Sequence, residues 1–246
     1  MKKDVLGIKI DDISIDQIVD TVKEWLSQKG RHYIVTPNPE IVMMAQKDLQ
    51  LKEIINHADL SLPDGNGLKL TTNIKCLSPG VDVMEALVKM ASIWGLSVGF
   101  LGGKGDVAKV TAECLKKKYP KLTVKYALSG PIIPTKVKTY TNNDLSIPDQ
   151  VLTNRCDILF VALGPPKQEH WIARNFKNIP VKVAMGVGGS FDYISGRVLR
   201  APQWIRNLQL EWLFRLIMEP WRIKRQVLLI KYLFLLLSRS NKNMVV

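Results

Sequence analysis

Cysteine is scarce in this chain. Cys76, Cys114 and Cys156 are the only three in 246 residues; they lie far apart and form no CxxC pair. That excludes a disulfide scaffold and a cysteine-based zinc site, and predicts reduced, mostly buried thiols of a cytosolic protein. Histidine is equally sparse. His32, His57 and His170 do not cluster, and neither HExxH nor DxD occurs, so no metal ligation is expected. There is no GxxxxGK[ST], which excludes a P-loop ATPase. No apolar stretch follows the two N-terminal lysines, so no signal peptide is predicted. Long hydrophobic runs are missing too. The strongest, VLLIKYLFLLL at 227–237, has Lys231 inside it and falls well short of the roughly 20 residues that cross a bilayer.

Apolar residues make up 46% of the chain and charged residues 23%, enough for a sizeable core and incompatible with whole-chain disorder. Thirty-five Lys+Arg against 22 Asp+Glu leave a net charge of +13, which points to an anionic partner. The charge is unevenly placed. Residues 197–246 hold ten Arg/Lys and two acids, together with three of the six tryptophans. A segment both basic and apolar fits an anionic membrane surface better than nucleic acid, and no nucleic-acid partner is expected.

Up to residue 196, short β-branched runs alternate with helical patterns, the signature of an α/β domain with a largely parallel, Rossmann-like sheet flanked by helices. Strands are predicted at Val5–Ile10, His32–Val35, Leu60–Leu62, Leu96–Leu101, Thr123–Leu128, Ile158–Leu163 and Val181–Met185. Ser14 caps a first helix, and further helices are predicted over 41–47, 49–57, 82–94, 107–118 and 168–176. His170 is expected at the surface. From Ala201 the pattern is helical, broken once at Pro220. Ile205, Leu208, Trp212, Leu213, Leu216 and Ile217 recur at three and four residues, giving one apolar stripe. The expected organisation is thus a domain over 1–196 and a C-terminal helical, membrane-associating appendage over 197–246.

Strand ends carry small or polar residues: TPN at 36–38, PDGNG at 63–67, GGKG at 102–105, GPPKQ at 164–168 and GVGGSFD at 186–192. In an open parallel sheet, ligands bind at the carboxyl ends of strands, where glycines admit backbone N–H groups to phosphate oxygens. Any one such loop is explained by turn geometry; five together favour a site. Gly103-x-Gly105-x-x-Ala108 matches a dinucleotide fingerprint. The next strand, however, ends in Ser129-Gly130 rather than an acid, so a nucleotide phosphate or sugar contact is expected instead of a nicotinamide cofactor. Asp64 can act as a general base if its surroundings raise its proton affinity, or form an Asx-type turn, and spacing does not choose between them. Asn38 can orient a substrate hydroxyl, cap the helix after it, or both. Without a metal, a leaving diphosphate needs cations; Arg215, Arg222 and Arg225 are the candidates, with lipid-headgroup binding their plainer reading.

Taken together, TPNPE, LPDGNG, GVD at 80–82, FLGG, LGPPKQE, GVGGSFDYISG and RAPQW…LEWLFRLIMEPWR resemble the WecG/TagA/CpsF glycosyltransferases over residues 5 to 225. The resemblance implies metal-independent, inverting transfer of N-acetylmannosamine from its UDP donor to undecaprenyl-diphosphate-linked N-acetylglucosamine. The β-1,4 product is the linkage unit of wall teichoic acid, made at the cytoplasmic membrane face without a cofactor. It implies Asp64 as base and Arg215, Arg222 and Arg225 as catalytic cations. Thr36, Asn38, Gly102, Gly103, Gly164, Gln168, Gly188, Gly189 and Asp192 would then hold the UDP-sugar. Relatives using oxidised mannosamine or another UDP-sugar keep the donor open, and self-association into a homo-oligomer is likewise open. Two positions depart from the family pattern. Gln209 stands where the family has glycine before LEWL, and Asn66 with the following Leu68-Lys69-Leu70 is more polar than the family's hydrophobic run.

Overall fold

The structure is a computed structural model that describes residues 2–134, 140–141, 144–220, 223, 228–229 and 231–236, excepting the side chains of 70 and 71. Arg222 and Arg225 lie outside the described residues.

Six strands form one parallel sheet: β3 (His32–Val35), β4 (Leu60–Ser61), β5 (Ser97–Gly102), β6 (Thr123–Leu128), β7 (Cys156–Ala162) and β8 (Val181–Gly186). Their order across the sheet is β4-β3-β8-β7-β5-β6. The α/β expectation holds. The predicted strand at Val5–Ile10 is instead a hairpin, β1 (Lys2–Val5) and β2 (Ile8–Asp11), because Leu6 and Gly7 both take positive φ and reverse the chain. The Asp11 carboxylate accepts the Ser61 N–H at 2.9 Å, which pins this hairpin beside β4.

Helices cover both faces. Ser14 and Gln17 close a capping box on α1 (Ile15–Ser27), whose Ile18, Val22 and Leu26 enter the core as their spacing predicts. On the same face lie α5 (Gly80–Trp94), α6 (Val107–Lys118) and α9 (Ser190–Ile194), packed against Phe100, Phe160, Val183 and Met185. The opposite face carries α2 (Pro39–Ala45), α3 (Leu49–Asn56) and α8 (Lys167–Asn175), over Val35, Leu159, Val161 and Ala184. Alternate residues of each central strand therefore serve different cores, as a doubly covered sheet requires. Three short helices had no clear sequence signal: α4 (Asn66–Thr71), α7 (Asp149–Thr153) and α9. His170 is buried rather than at the surface, with its Nε2 3.0 Å from Asp48 Oδ2. Cys156 is buried, whereas Cys76 and Cys114 are half-buried; all three are free thiols.

The C-terminal segment differs from the predicted single stripe. Over residues 203–218 the chain forms two short helices, α10 (Gln203–Asn207) and α11 (Glu211–Met218), separated by a turn in which Gln209 has φ 62°. A left-handed residue ends a helix, so Ile205 and Leu208 do not continue the face of Trp212, Leu213, Leu216 and Ile217. Gln209 thus sits at a backbone position that suits the family's glycine. The segment is also fastened to the core. Arg197 donates to the Lys104 carbonyl, Ala201 is buried, and Tyr232 is fully buried in the cluster of β1, β2, α2 and α3.

The carboxyl ends of β5 and β7 are neighbours whose chains leave in opposite directions, β5 toward β6 and β7 toward β8. Gly102 lies at this switch point with φ 119°, and a Cβ on it would sit 2.4 Å from the Ala162 carbonyl. Gly102→Ala is therefore expected to destabilise the protein by about 3 kcal/mol, read as a lower urea midpoint. An unchanged midpoint would show that the two strand ends can separate freely.

Candidate active site

A cleft of about 370 Å³ opens at the carboxyl ends of β4, β3 and β8 and is roofed by α11. Asp64 stands in its wall, half-buried, directly after β4. Pro63 and Gly65 hold the chain in place there. The Asp64 N–H donates to the Pro37 carbonyl at 2.9 Å, and Gly65, with φ 91°, turns the chain into α4. The Asp64 carboxylate accepts the backbone N–H of Gly80, from a segment remote in sequence. That bond favours the wall-residue reading over a local Asx turn.

Burial raises the proton affinity of Asp64, the Glu211 carboxylate raises it further, and Asp82 adds to both. Arg215 and the Gly80 N–H oppose them, and the balance is a pKa pushed up to about 6. Such a carboxylate is ionised at neutral pH yet a stronger base than an ordinary aspartate, which suits it to taking a proton from a hydroxyl.

The cations and carboxylates around it form a linked set. Arg200 makes a bidentate pair with Asp82 at 2.6 and 2.7 Å and reaches Glu211 at 3.5 Å. Asp82 belongs to the GVD motif and Arg200 to RAPQW, so two short motifs, uninformative singly, meet across the cleft. Arg215 lies over the Tyr193 ring at 4.9 Å and donates from Nε to Glu219 at 3.0 Å. Its guanidinium rests on Gly189, where an added Cβ would come within 2.9 Å of Nη2.

Of the residues selected from sequence, Asn38, Asp64, Gly189 and Arg215 line this cleft. Asn38 is the helix cap expected of it: its Oδ1 caps α2 through the Ile41 N–H at 3.0 Å, which leaves its NH2 group to face a ligand in the cleft. Thr36 and Gln168 are buried just behind the wall. Thr36 Oγ1 donates to the Gly186 carbonyl at 3.0 Å, and Gln168 Oε1 accepts the Gly188 N–H at 2.9 Å. Gly102, Gly103 and Gly164 lie further along the same sheet edge, at the β5/β7 switch point. Asp192 is in the first turn of α9. Sequence reasoning missed Arg200, Glu211, Tyr193 and the Pro79–Val81 wall. Their signal was present only as motif resemblance, because nothing in linear spacing joins residue 82 to residue 200. Among the described residues, no three His, Cys, Asp or Glu side chains converge on a point that could hold a metal ion.

The chain is a glycosyltransferase: it belongs to the glycosyl transferase WecG/TagA/CpsF family, whose model matches residues 3–244. It is 35% identical over 227 residues to an N-acetylglucosaminyldiphosphoundecaprenol N-acetyl-beta-D-mannosaminyltransferase of Bacillus subtilis (strain 168). That match covers 89% of this chain and 85% of the relative. Proteins of the same name from Staphylococcus aureus strains MRSA252 and MW2 are 29% identical over 236 residues, covering 91% of this chain and 87% of theirs.

The electrostatic account of Asp64 makes a signed prediction. Glu211→Gln removes a negative neighbour and should lower the Asp64 titration midpoint below 6, whereas Arg215→Gln should raise it. Carboxyl-labelled NMR reads both shifts without any assay of turnover. Equal midpoints in the two variants would refute the account.

Proposed function

We propose that this glycosyltransferase moves N-acetylmannosamine from UDP-N-acetylmannosamine to undecaprenyl-diphosphate-linked N-acetylglucosamine, with inversion and without a metal. The single observation that carries this reading is that Asp64 and the Arg215 guanidinium line one cleft, where burial and the Glu211 carboxylate raise the proton affinity of Asp64. The names of the relatives supply the sugar and the lipid acceptor. In the proposed step, Asp64 takes the proton of the acceptor's sugar hydroxyl as its oxygen attacks the anomeric carbon from the face opposite UDP. The bond to the diphosphate breaks, and UDP leaves with the electron pair. Arg215 would stabilise the charge that develops there, with Arg222 and Arg225 as further candidates. The glycines at the ends of β5, β7 and β8 continue the same edge and would admit the diphosphate, with Asn38 and Asp192 as further donor contacts.

The assay is product analysis by mass spectrometry, with UDP-N-acetylmannosamine, a short-chain diphospholipid acceptor and excess EDTA. A disaccharide product with a β linkage is expected, undiminished by EDTA. Asp64→Asn should lower turnover by roughly 10²–10⁴-fold while UDP binding persists. The same change should raise stability at pH 7. A carboxyl that binds its proton more tightly folded than unfolded opposes folding once ionised, so the gain is absent below about pH 4, grows between about 4 and 6, and is complete above 6. Near-normal turnover in Asp64→Asn would end the assignment.

The same reading extends to the domain plan. Residues 1–196 would bind the UDP-sugar, and 197–246 would complete the site and meet the cytoplasmic face of the membrane peripherally. No described helix is long and apolar enough to cross a bilayer. Trp204, Leu208, Ile217 and Phe234 are 60–71% exposed beside the cleft, in a segment carrying much of the chain's positive charge. Apolar side chains amid arginines favour an anionic interface. Trp204→Glu combined with Ile217→Glu should cut co-sedimentation with anionic liposomes severalfold and leave UDP binding intact. Undiminished co-sedimentation would remove this surface from the account.

A further inference from the structure

Glu169, next to Gln168 at the start of α8, is not explained by the chemistry above. It is 1% exposed. One carboxylate oxygen, Oε1, accepts from Gln168 Nε2 at 2.8 Å, while Oε2 has no hydrogen-bond partner among the described residues. Leaving half a carboxylate unpartnered inside a protein is costly, and an apolar residue of similar size would avoid that cost. What the carboxylate does that an apolar residue cannot is decide which way the Gln168 amide faces.

The geometry around Gln168 shows why that matters. Its Oε1 accepts the Gly188 N–H at 2.9 Å, and its amide lies against Gly186, where an added Cβ would approach Nε2 to 3.1 Å. Flipped, the amide would point its NH2 at the Gly188 N–H, donor against donor. Burial pushes the Glu169 carboxyl up to about 7; above that pH the carboxylate can only accept, and Glu169 then rejects the flipped state, which would turn the Gln168 oxygen toward it. Beyond Gly188 the loop forms the cleft floor: Gly189 supports the Arg215 guanidinium, and Ser190 lines the cavity.

We propose that Glu169 is a positioning residue, which by fixing the Gln168 amide holds Gly188 and so sets the loop beneath Arg215 for binding the diphosphate of the donor. This rests on the reading of the cleft as the UDP-sugar site. The test compares Glu169→Gln, which can still accept from Gln168, with Glu169→Met, which cannot. Glu169→Met should raise the donor KM and the calorimetric Kd for UDP about tenfold, with kcat much less affected and an unfolding midpoint equal to or above wild type. Glu169→Gln should restore near-normal affinity. A purely structural role predicts the reverse, a lower midpoint with unchanged KM, and that result would overturn the proposal. If Glu169→Met does not fold, hydrogen exchange in the wild-type protein decides. The Gly188 amide should be as protected as those of β8, and exchange at the rate of a free peptide would overturn the clamp. Wild-type protein that fails to bind UDP would instead refute the reading of the cleft, leaving the exchange result to judge the clamp alone.

Discussion

The cleft depends on the Arg200–Asp82 pair more than on any other interaction. Asp82 is in the first turn of α5, inside the α/β core, whereas Arg200 belongs to the segment that leaves that core for α10 and α11. A planar guanidinium meeting a carboxylate through two short hydrogen bonds fixes orientation as well as distance. The pair therefore sets the angle at which the chain departs, and the weaker reach of the same guanidinium to Glu211 sets where α11 begins. Everything α11 brings to the cleft, Glu211 and Arg215 included, follows from that anchorage. Lysine could supply the charge at residue 200 but not the geometry.

Anchoring α11 has an electrostatic consequence. It delivers one acid and one base together, and they act on Asp64 with opposite signs. Asp82 acts on Asp64 in the same sense as Glu211 but more weakly. Arg215 in turn divides its charge among Glu219, the Tyr193 ring and the cleft. The result is a carboxylate raised by burial and tuned by residues nearly 150 positions away. Asp64 meets Glu211 and Arg215 only where the C-terminal segment is docked on the core.

The sequence revealed the sheet and the edge that matters, because strand runs and glycine-rich strand ends are local signals. α6 and β6 fall where their periodicity places them, and Asn38 caps α2 as its position between two prolines suggests. Four selected residues share the cleft for the same reason: each follows a strand or lies on the first amphipathic helix that could roof it. What local pattern could not show was pairing at a distance. Asp82 and Arg200 are 118 residues apart, and His170 is buried only because Asp48 arrives from α3 to meet it. The hairpin at Leu6-Gly7 was hidden because a strand of this length tolerates an unpatterned reversal. The break at Gln209 was hidden because a non-glycine residue at positive φ leaves no trace in hydrophobic periodicity.

The residues just behind the cleft wall give the fold its second level of organisation. Thr36 and Gln168, from strand ends on either side of β8, both hydrogen-bond the backbone at the end of that strand, one at Gly186 and one at Gly188. Buried in this way, the two side chains hold the backbone on which the cleft surface stands. Gly102 illustrates a related division of labour, since its lack of a side chain is already required by the Ala162 backbone whether or not a phosphate ever approaches. Polar and glycine residues at parallel-strand ends thus belong to two shells. The outer one, Asn38, Asp64, Gly189 and Arg215, faces the cavity, and the inner one fixes the loops on which the outer shell stands. Sequence pattern alone selects both shells with the same signal, and only the direction of each hydrogen bond separates them.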